Sequence, residues 1–120
     1  MANTFRMTNE ANVTTSIETI YTVPSATTTV LIGIMLSNTL TTDSVKASVQ
    51  IVSTTATSTN AGGTNTNETT YLVKTAPVDN SSSLELMGGN KIVLQAGDII
   101  KAQSDAAPGL DIAISYMEIT

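Results

Sequence analysis

The chain of 120 residues contains no cysteine, no histidine and no tryptophan, and aromatic residues make up only 3% of it. Without cysteine it can form neither a disulfide framework nor a thiolate metal site. Without histidine, most nucleophile and base pairs and most zinc or iron sites are excluded as well. The core is therefore expected to be aliphatic, and the chain is not expected to be an enzyme.

Charge is also scarce, because charged residues make up 12% of the chain and the formal net charge is −5. The five basic residues are spread along the sequence and form no patch that could neutralise a row of phosphates, so no nucleic-acid partner is expected. The longest apolar run is far shorter than the roughly 20 residues of a membrane span, and the opening residues lack the apolar core of a signal peptide. We therefore expect neither a membrane partner nor a cleaved signal.

The acidic residues form no recognisable site. Asp98, Asp111, Glu85 and Glu118 each lie in a predicted turn or on the polar face of a predicted strand, where a solvated carboxylate is the ordinary role. Calcium would require several oxygen ligands at close spacing, which the sequence does not offer. The sequence thus predicts no catalytic, cofactor-binding or metal-binding residue, and no cofactor.

The segment Val30–Leu36 is the most apolar of the sequence, and its length and β-branched content favour a strand. Strict alternation would place Leu31 and Met35 on one face of this strand. The other face would then hold Val30, Ile32, Ile34 and Leu36. A strand that is apolar on both faces needs a second cover, which could be another subunit or a long loop of the same chain.

Alternating apolar residues separated by turn residues predict about eight strands and no helix. These strands are Val13–Val23, Thr28–Ser37, Val45–Ile51, Thr70–Thr75, Leu84–Met87, Lys91–Gln95, Ile99–Ser104 and Leu110–Met117. The short loop before Val45 predicts that its strand pairs with the preceding one, and Gly88-Gly89-Asn90 predicts a hairpin. The expected fold is an all-β antiparallel sandwich, either immunoglobulin-like or jelly-roll.

The sandwich is assigned to residues 13–120. Two segments of the chain are expected to differ from its regular strands. Residues 1–12 show no period and are predicted to form an N-terminal arm, whereas residues 53–69 are rich in threonine and are predicted to form an exposed loop or polar β-structure. An arm can wrap a neighbouring molecule, and the second face of the apolar strand needs a cover. The predicted interface residues are therefore Phe5, Arg6, Met7, Leu31 and Met35.

Glycine turns, an Ala-Gly-Asp turn and alternating strand positions occur in four stretches of the chain, which are Ile20–Pro24, Tyr71–Val78, Ser83–Asp98 and Ile114–Thr120. In the order and spacing of these features, the chain resembles the small β-rich virion structural proteins of tailed bacteriophages. The resemblance implies a β-sandwich without catalytic residues.

The function that the resemblance implies is that of a capsid decoration (cement) protein, which stabilises the head by bridging neighbouring capsid subunits. Its partners would be the major capsid protein or other virion proteins and further copies of itself, as a trimer. Its location would be the virion, assembled in the host bacterial cytoplasm. The alternatives are a head–tail, neck or tail-fibre adaptor of the virion and, from another class, a carbohydrate-binding module, for which the few aromatic residues provide little support.

Overall fold

Alternating β-branched and polar residues produce strands throughout the computed structural model, which describes residues 2–54, 59–60, 63–64 and 68–120. The strands are β1 (Asn3–Glu10), β2 (Glu18–Thr22), β3 (Thr28–Asn38), β4 (Val45–Ser53), β5 (Thr59–Asn60), β6 (Gly63–Thr64), β7 (Glu68–Val78), β8 (Ser83–Glu85), β9 (Ile92–Leu94), β10 (Ile99–Ser104) and β11 (Leu110–Ile119). Within these ranges, no helix has the length and apolar character needed to cross a membrane.

Nine of the strands form two antiparallel sheets that pack as a β-sandwich. The first sheet has the order β1-β11-β3, with the short strands β8 and β9 both paired to the free edge of β3. The second sheet has the order β2-β10-β4-β7, and β5 pairs with β6 alone. With β8 and β9 counted as one interrupted strand, eight strands form two four-stranded sheets in the manner of a jelly roll. The prediction of an all-β sandwich is confirmed.

The core lies between the two sheets and is aliphatic except for two tyrosines. Its strand residues from the first sheet are Leu31, Ile34, Leu36, Leu94, Leu110, Ile112, Ile114 and Tyr116. Those from the second sheet are Tyr21, Val45, Ala47, Val49, Ile51, Val78, Ile100 and Ala102. The predicted alternation of β4 is seen in part, because Val45, Ala47, Val49 and Ile51 belong to this core and Lys46 is exposed. Ser48 and Gln50, predicted on the polar face, are also buried.

A bulge in β3 changes which of its residues face the core. Ser115 of β11 lies opposite Gly33, but the next residue, Tyr116, lies opposite Leu31, so Ile32 has no partner in the register. The extra residue reverses the alternation at that point. Leu31 is fully buried, whereas Ile32 is exposed. The predicted assignment of Leu31 to the outer face and Ile32 to the inner face is therefore wrong.

Two predicted pairings are also wrong. β3 and β4 belong to different sheets, because the connection after Asn38 crosses the sandwich. The buried Asn38 amide holds this corner by donating to the carbonyl groups of Asp43 and Val78. The segments around Gly88-Gly89-Asn90 form no hairpin with each other, since β8 and β9 both pair with β3 and the glycines form a loop that interrupts one edge strand.

The two segments predicted to lie apart from the sandwich can be placed only in part. Most of the threonine-rich loop predicted at 53–69 lies outside the described residues, which within it include the β5–β6 ladder. The segment predicted as an N-terminal arm contains β1, which pairs with β11 along its whole length. Phe5 and Met7 are therefore held at the edge of the first sheet.

Candidate assembly surface

The outer face of the first sheet, which points away from the core, has an apolar row running across four strands. Cross-strand register places Phe5 of β1 beside Met117 of β11, Met117 beside Val30 of β3, and Val30 beside Val93 of β9. Residues in register share a face and contact each other across antiparallel strands. These four residues, Phe5, Met117, Val30 and Val93, are called the outer row below.

Further apolar side chains extend this surface along the strands. Met7 lies beside Ser115, and the bulged Ile32 emerges next to them, while Met35 lies beside Ala113. The side chains of Phe5 and Met7 are 73% and 61% exposed. Among the described residues, seven large apolar side chains are exposed, and five of them belong to this one face: Phe5, Met7, Ile32, Met35 and Val93.

Two depressions make the surface of the outer face uneven. One groove, of about 340 Å³, is lined by Phe5, Met7, Ile32 and Ser115 together with Arg6 and Tyr116. The other lies over Gly33, where the missing side chain lowers the surface, and is lined by Met35, Ala113 and the carboxylate of Glu85. A relief of this kind can accept side chains of a partner, as buried anchors do at protein interfaces.

Two carboxylates lie on the outer face away from the outer row, and that of Glu85 reaches the middle of the face, with Oε2 3.5 Å from where a Cβ of Gly33 would lie. Glu85 is in register with Met35, and Asp111 is in register with Ser37, two positions farther along β3. The Gly88 N–H donates to Glu85 over 2.6 Å, and this bond holds the pKa of the exposed carboxyl below its ordinary value. The outer row itself contains no charged residue, so contact with a partner there would desolvate no ion of this chain.

The opposite side of β1 is polar and is bonded to a buried carboxylate. Arg6 donates from Nε to Oε1 of Glu118 over 2.7 Å, and the Tyr21 hydroxyl donates to Oε2 over 2.6 Å. Since this uses the only hydroxyl proton of Tyr21, the Thr29 hydroxyl, 2.8 Å away, must donate to the Tyr21 oxygen. Next to it, the hydroxyl groups of Thr8 and Tyr116 are 2.8 Å apart.

These bonds shift the proton affinities of the cluster. The hydrogen bond from Tyr21, followed by the bond and charge of Arg6, lowers the pKa of Glu118, although burial alone would raise it. Burial and the bond to Glu118 raise the pKa of Tyr21 well above its ordinary value. The cluster is therefore ionic at neutral pH, with an anionic Glu118, a cationic Arg6 and a protonated Tyr21.

Asp98 and Asp111 each accept hydrogen bonds from backbone groups and are not gathered into one site. Asp98 accepts hydrogen bonds from the backbone N–H groups of Thr54 and Gln95, and Asp111 accepts one from Asn12. Over the described ranges, no group of three or more acidic residues is placed to hold a metal ion. Glu118 is enclosed by partners of its own chain, Arg6 and Tyr21.

The structure separates the five predicted interface residues. Phe5, Met7 and Met35 lie on the outer face, Arg6 points to the other side of β1, and Leu31 is buried in the core. The outward positions of Ile32 and Val93 are not predicted by strict alternation in the sequence. The available signal for Ile32 was Gly33, because glycine within a strand often marks a bulge.

No protein-family model matches this chain, and no curated protein matches it. A solved structure of Bacillus endospore appendages, described as a novel family of disulfide-linked pili, is similar to it with a TM-score of 0.49 and 15% sequence identity. The match covers 99% of this chain and 87% of that chain.

The similarity found over nearly the whole chain is thus to an endospore appendage and not to a phage virion protein, so the predicted phage resemblance is wrong. The functions predicted with it are corrected too, namely the decoration protein, the head–tail or tail-fibre adaptor and the carbohydrate-binding alternative. The capsid partner is unsupported, and the virion location is wrong.

Proposed function

We propose that this chain is a non-enzymatic structural subunit that assembles with copies of itself through the outer face of its first sheet. The proposal rests on one observation, the uncharged apolar outer row from Phe5 to Val93 with exposed Met7, Ile32 and Met35 beside it. Clustered apolar groups of this size on a sheet face are typical of association surfaces.

The size of this face matches what an association surface requires. An eleven-residue strand such as β3 is about 36 Å long, and four strands side by side are about 19 Å wide. The resulting footprint of about 700 Å² is close to the roughly 800 Å² that each partner buries in a standard interface. Two copies could therefore cover each other's outer face by sheet-on-sheet packing.

The distribution of charge also favours this face for contact between copies. Each chain has a formal net charge of −5 and repels its copies at a distance. The outer row has no charge that would have to be desolvated on contact, so at that row the electrostatic cost of association is long-range repulsion, whereas covering the whole face would also desolvate Glu85 and Asp111. Salt screens this repulsion, and association of copies should strengthen as ionic strength rises. A basic partner at the same face would show the opposite salt dependence.

The appendages with which the fold was compared are described as disulfide-linked pili. This chain has no cysteine, so in the proposed assembly its own contacts are non-covalent. Their free energy comes from buried apolar area, at about 25 cal/mol per Å² before the entropy cost of association is subtracted.

The proposal is tested by light scattering over a range of protein and salt concentrations. We expect the mean mass to rise with both concentrations. The limiting mass gives the number of copies, which is two for the face-to-face packing proposed above and three for the trimer predicted from the sequence. Phe5→Ser and Val93→Ser should each weaken association about tenfold or more, because each removes an exposed apolar group from an end of the outer row.

Two exposed apolar residues away from this face provide matched controls. Ile17 and Tyr71 are 41% and 43% exposed, and Ile17→Ser and Tyr71→Ser should leave association unchanged. A wild-type chain that stays monomeric at every protein and salt concentration would contradict the proposal. Equal loss of association in all four variants would contradict the assignment to the outer face.

A further inference from the structure

The strand that contributes Phe5 and Met7 to the outer face has no apolar anchor in the core. Seven of the eight residues of β1 are exposed, and Thr8 is half-buried. Phe5 and Met7 point outward, so burial of apolar area does not hold this strand against the sandwich. Its attachment depends on the backbone ladder with β11 and on the side chains of its other face.

That other face has one ionic contact with the sandwich, the bond from Arg6 to Glu118. The Arg6 side chain is 55% exposed, whereas the side chain of Glu118 is 11% exposed. Salt bridges on an open surface contribute little, but a hydrogen bond to a mostly buried carboxylate contributes more, because an unpaired charge there is costly. The pair of Arg6 and Glu118 therefore stabilises β1 where this strand has no hydrophobic contact with the core.

The Glu118 carboxylate is also held by groups other than Arg6. Tyr21, on β2 of the second sheet, donates to Oε2, and Thr29 on β3 donates to Tyr21. The ring of Tyr21 lies 4.4 Å from the ring of Tyr116, measured between centroids. Because residues of β2 and β3 hold Glu118 in this way, its other oxygen offers β1 a rigid and correctly oriented acceptor.

We infer that Arg6 and Glu118 are positioning residues for the assembly surface: their ion pair holds β1 in place and so presents Phe5 and Met7 on the outer face. This inference rests on the proposed function and identifies the residues that keep its surface intact. The side chains alternate along β1, so the contact that holds the strand lies on one of its faces and the contact that binds a partner lies on the other.

The test compares Arg6→Met with Lys91→Met in the full chain by amide hydrogen exchange and light scattering. Both variants remove one positive charge, but Lys91 is an exposed residue in the loop before β9. We expect Arg6→Met to lower the protection of β1 amides about tenfold or more, as for loss of a hydrogen bond to a charged group, and to weaken association. Protection in β3 and β10 should not change, and Lys91→Met should behave as wild type.

A rescue variant separates position from direct contact. Ala2 and Thr120 exchange backbone hydrogen bonds next to the ladder of β1 and β11, and such pairs fall within disulfide distance. Ala2 is on the same side of β1 as Arg6, away from the outer face. Adding Ala2→Cys and Thr120→Cys to Arg6→Met should restore β1 protection and association together. Restored protection without restored association would overturn the inference, since Arg6 would then act by another route.

Other outcomes are equally decisive. If β1 protection is the same in Arg6→Met and Lys91→Met, the pair does not hold the strand and the inference is overturned. If the wild-type chain is monomeric while Arg6→Met still loses β1 protection, the positioning of β1 is supported and the proposed function fails instead.

Discussion

The Tyr21 hydroxyl donates to Oε2 of Glu118 over 2.6 Å, which joins β2 of the second sheet to β11 of the first. The two residues are 97 positions apart in the sequence, and both are mostly buried. A polar bond of this kind within an otherwise aliphatic core fixes how the two sheets are oriented at this end of the sandwich, because apolar packing alone has little directional preference.

Tyr21→Phe should lower the free energy of unfolding by about 1–3 kcal/mol, because it removes the donor to the buried Glu118 and leaves that carboxylate with Arg6 alone. The measurement is urea denaturation followed by circular dichroism. Tyr71→Phe is the matched control, since that ring is 43% exposed and its hydroxyl should contribute less than about 0.5 kcal/mol. Equal effects of the two substitutions would contradict the role assigned to Tyr21.

Stability should fall in acid partly through Glu118. Its pKa is lower in the folded chain than in the unfolded chain, because Tyr21 and Arg6 donate to the ionised form. As the pH falls below about 4.5, the unfolded chain therefore binds a proton before the folded chain does, and the free energy of unfolding decreases. The contribution of Glu118 is fully present above this pH and is lost as the pH falls through its folded pKa.

Glu118→Gln isolates this contribution. The glutamine has nearly the same size but cannot titrate, so urea denaturation at several pH values should show a weaker loss of stability in acid than in wild type. Glu85, whose pKa is also lowered, titrates in both proteins and cancels in the comparison. Parallel curves for the two proteins would show that Glu118 does not contribute to the acid sensitivity.

The bulge in β3 predicts opposite results for two neighbouring residues. Leu31→Ala should destabilise the fold by about 2–5 kcal/mol, because it leaves a cavity in the place of a fully buried side chain. Ile32→Ala should change stability by less than about 0.5 kcal/mol, because Ile32 is 38% exposed on the outer face. Thermal or urea denaturation measures both, and the reverse order would restore the strict alternation that the sequence suggests.

The strands β3, β4 and β10 show why some features of the fold could be predicted from the sequence and others could not. The alternation of apolar and polar residues predicts which segments are strands, and β10, Ile99–Ser104, has the predicted bounds. Periodicity gives faces but not partners, so the placement of β3 and β4 in different sheets could not be inferred from their short connection. Because the bulge adds one residue to β3, the residues beyond it face the side opposite to the one that strict alternation predicts, until the next irregularity.

The pair of Arg6 and Glu118 could not be predicted for a different reason. The two residues are 112 positions apart, and neither lies in a motif or a charge cluster. Their contact exists because β1 and β11 become neighbours in the jelly roll, with Thr4 of β1 opposite Glu118 in the ladder. Only the topology places Arg6, two residues farther along the same face of β1, within reach of that carboxylate.

Methionine oxidation should reveal the assembly surface without any substitution. Met7 and Met35 are 61% and 44% exposed on the outer face, whereas Met87 is 4% exposed. In dilute protein, hydrogen peroxide should convert Met7 and Met35 to sulfoxides well before Met87, since oxidation follows exposure.

At concentrations where light scattering shows oligomers, Met7 and Met35 should become protected because copies cover the outer face, and Met87 provides the internal reference. Peptide mass spectrometry measures all three. Because a sulfoxide is polar, mild oxidation of the dilute protein should also reduce the mass reached on concentration. Equal oxidation rates of Met7 and Met35 in the monomer and in the oligomer would place the contact between copies elsewhere on the sandwich.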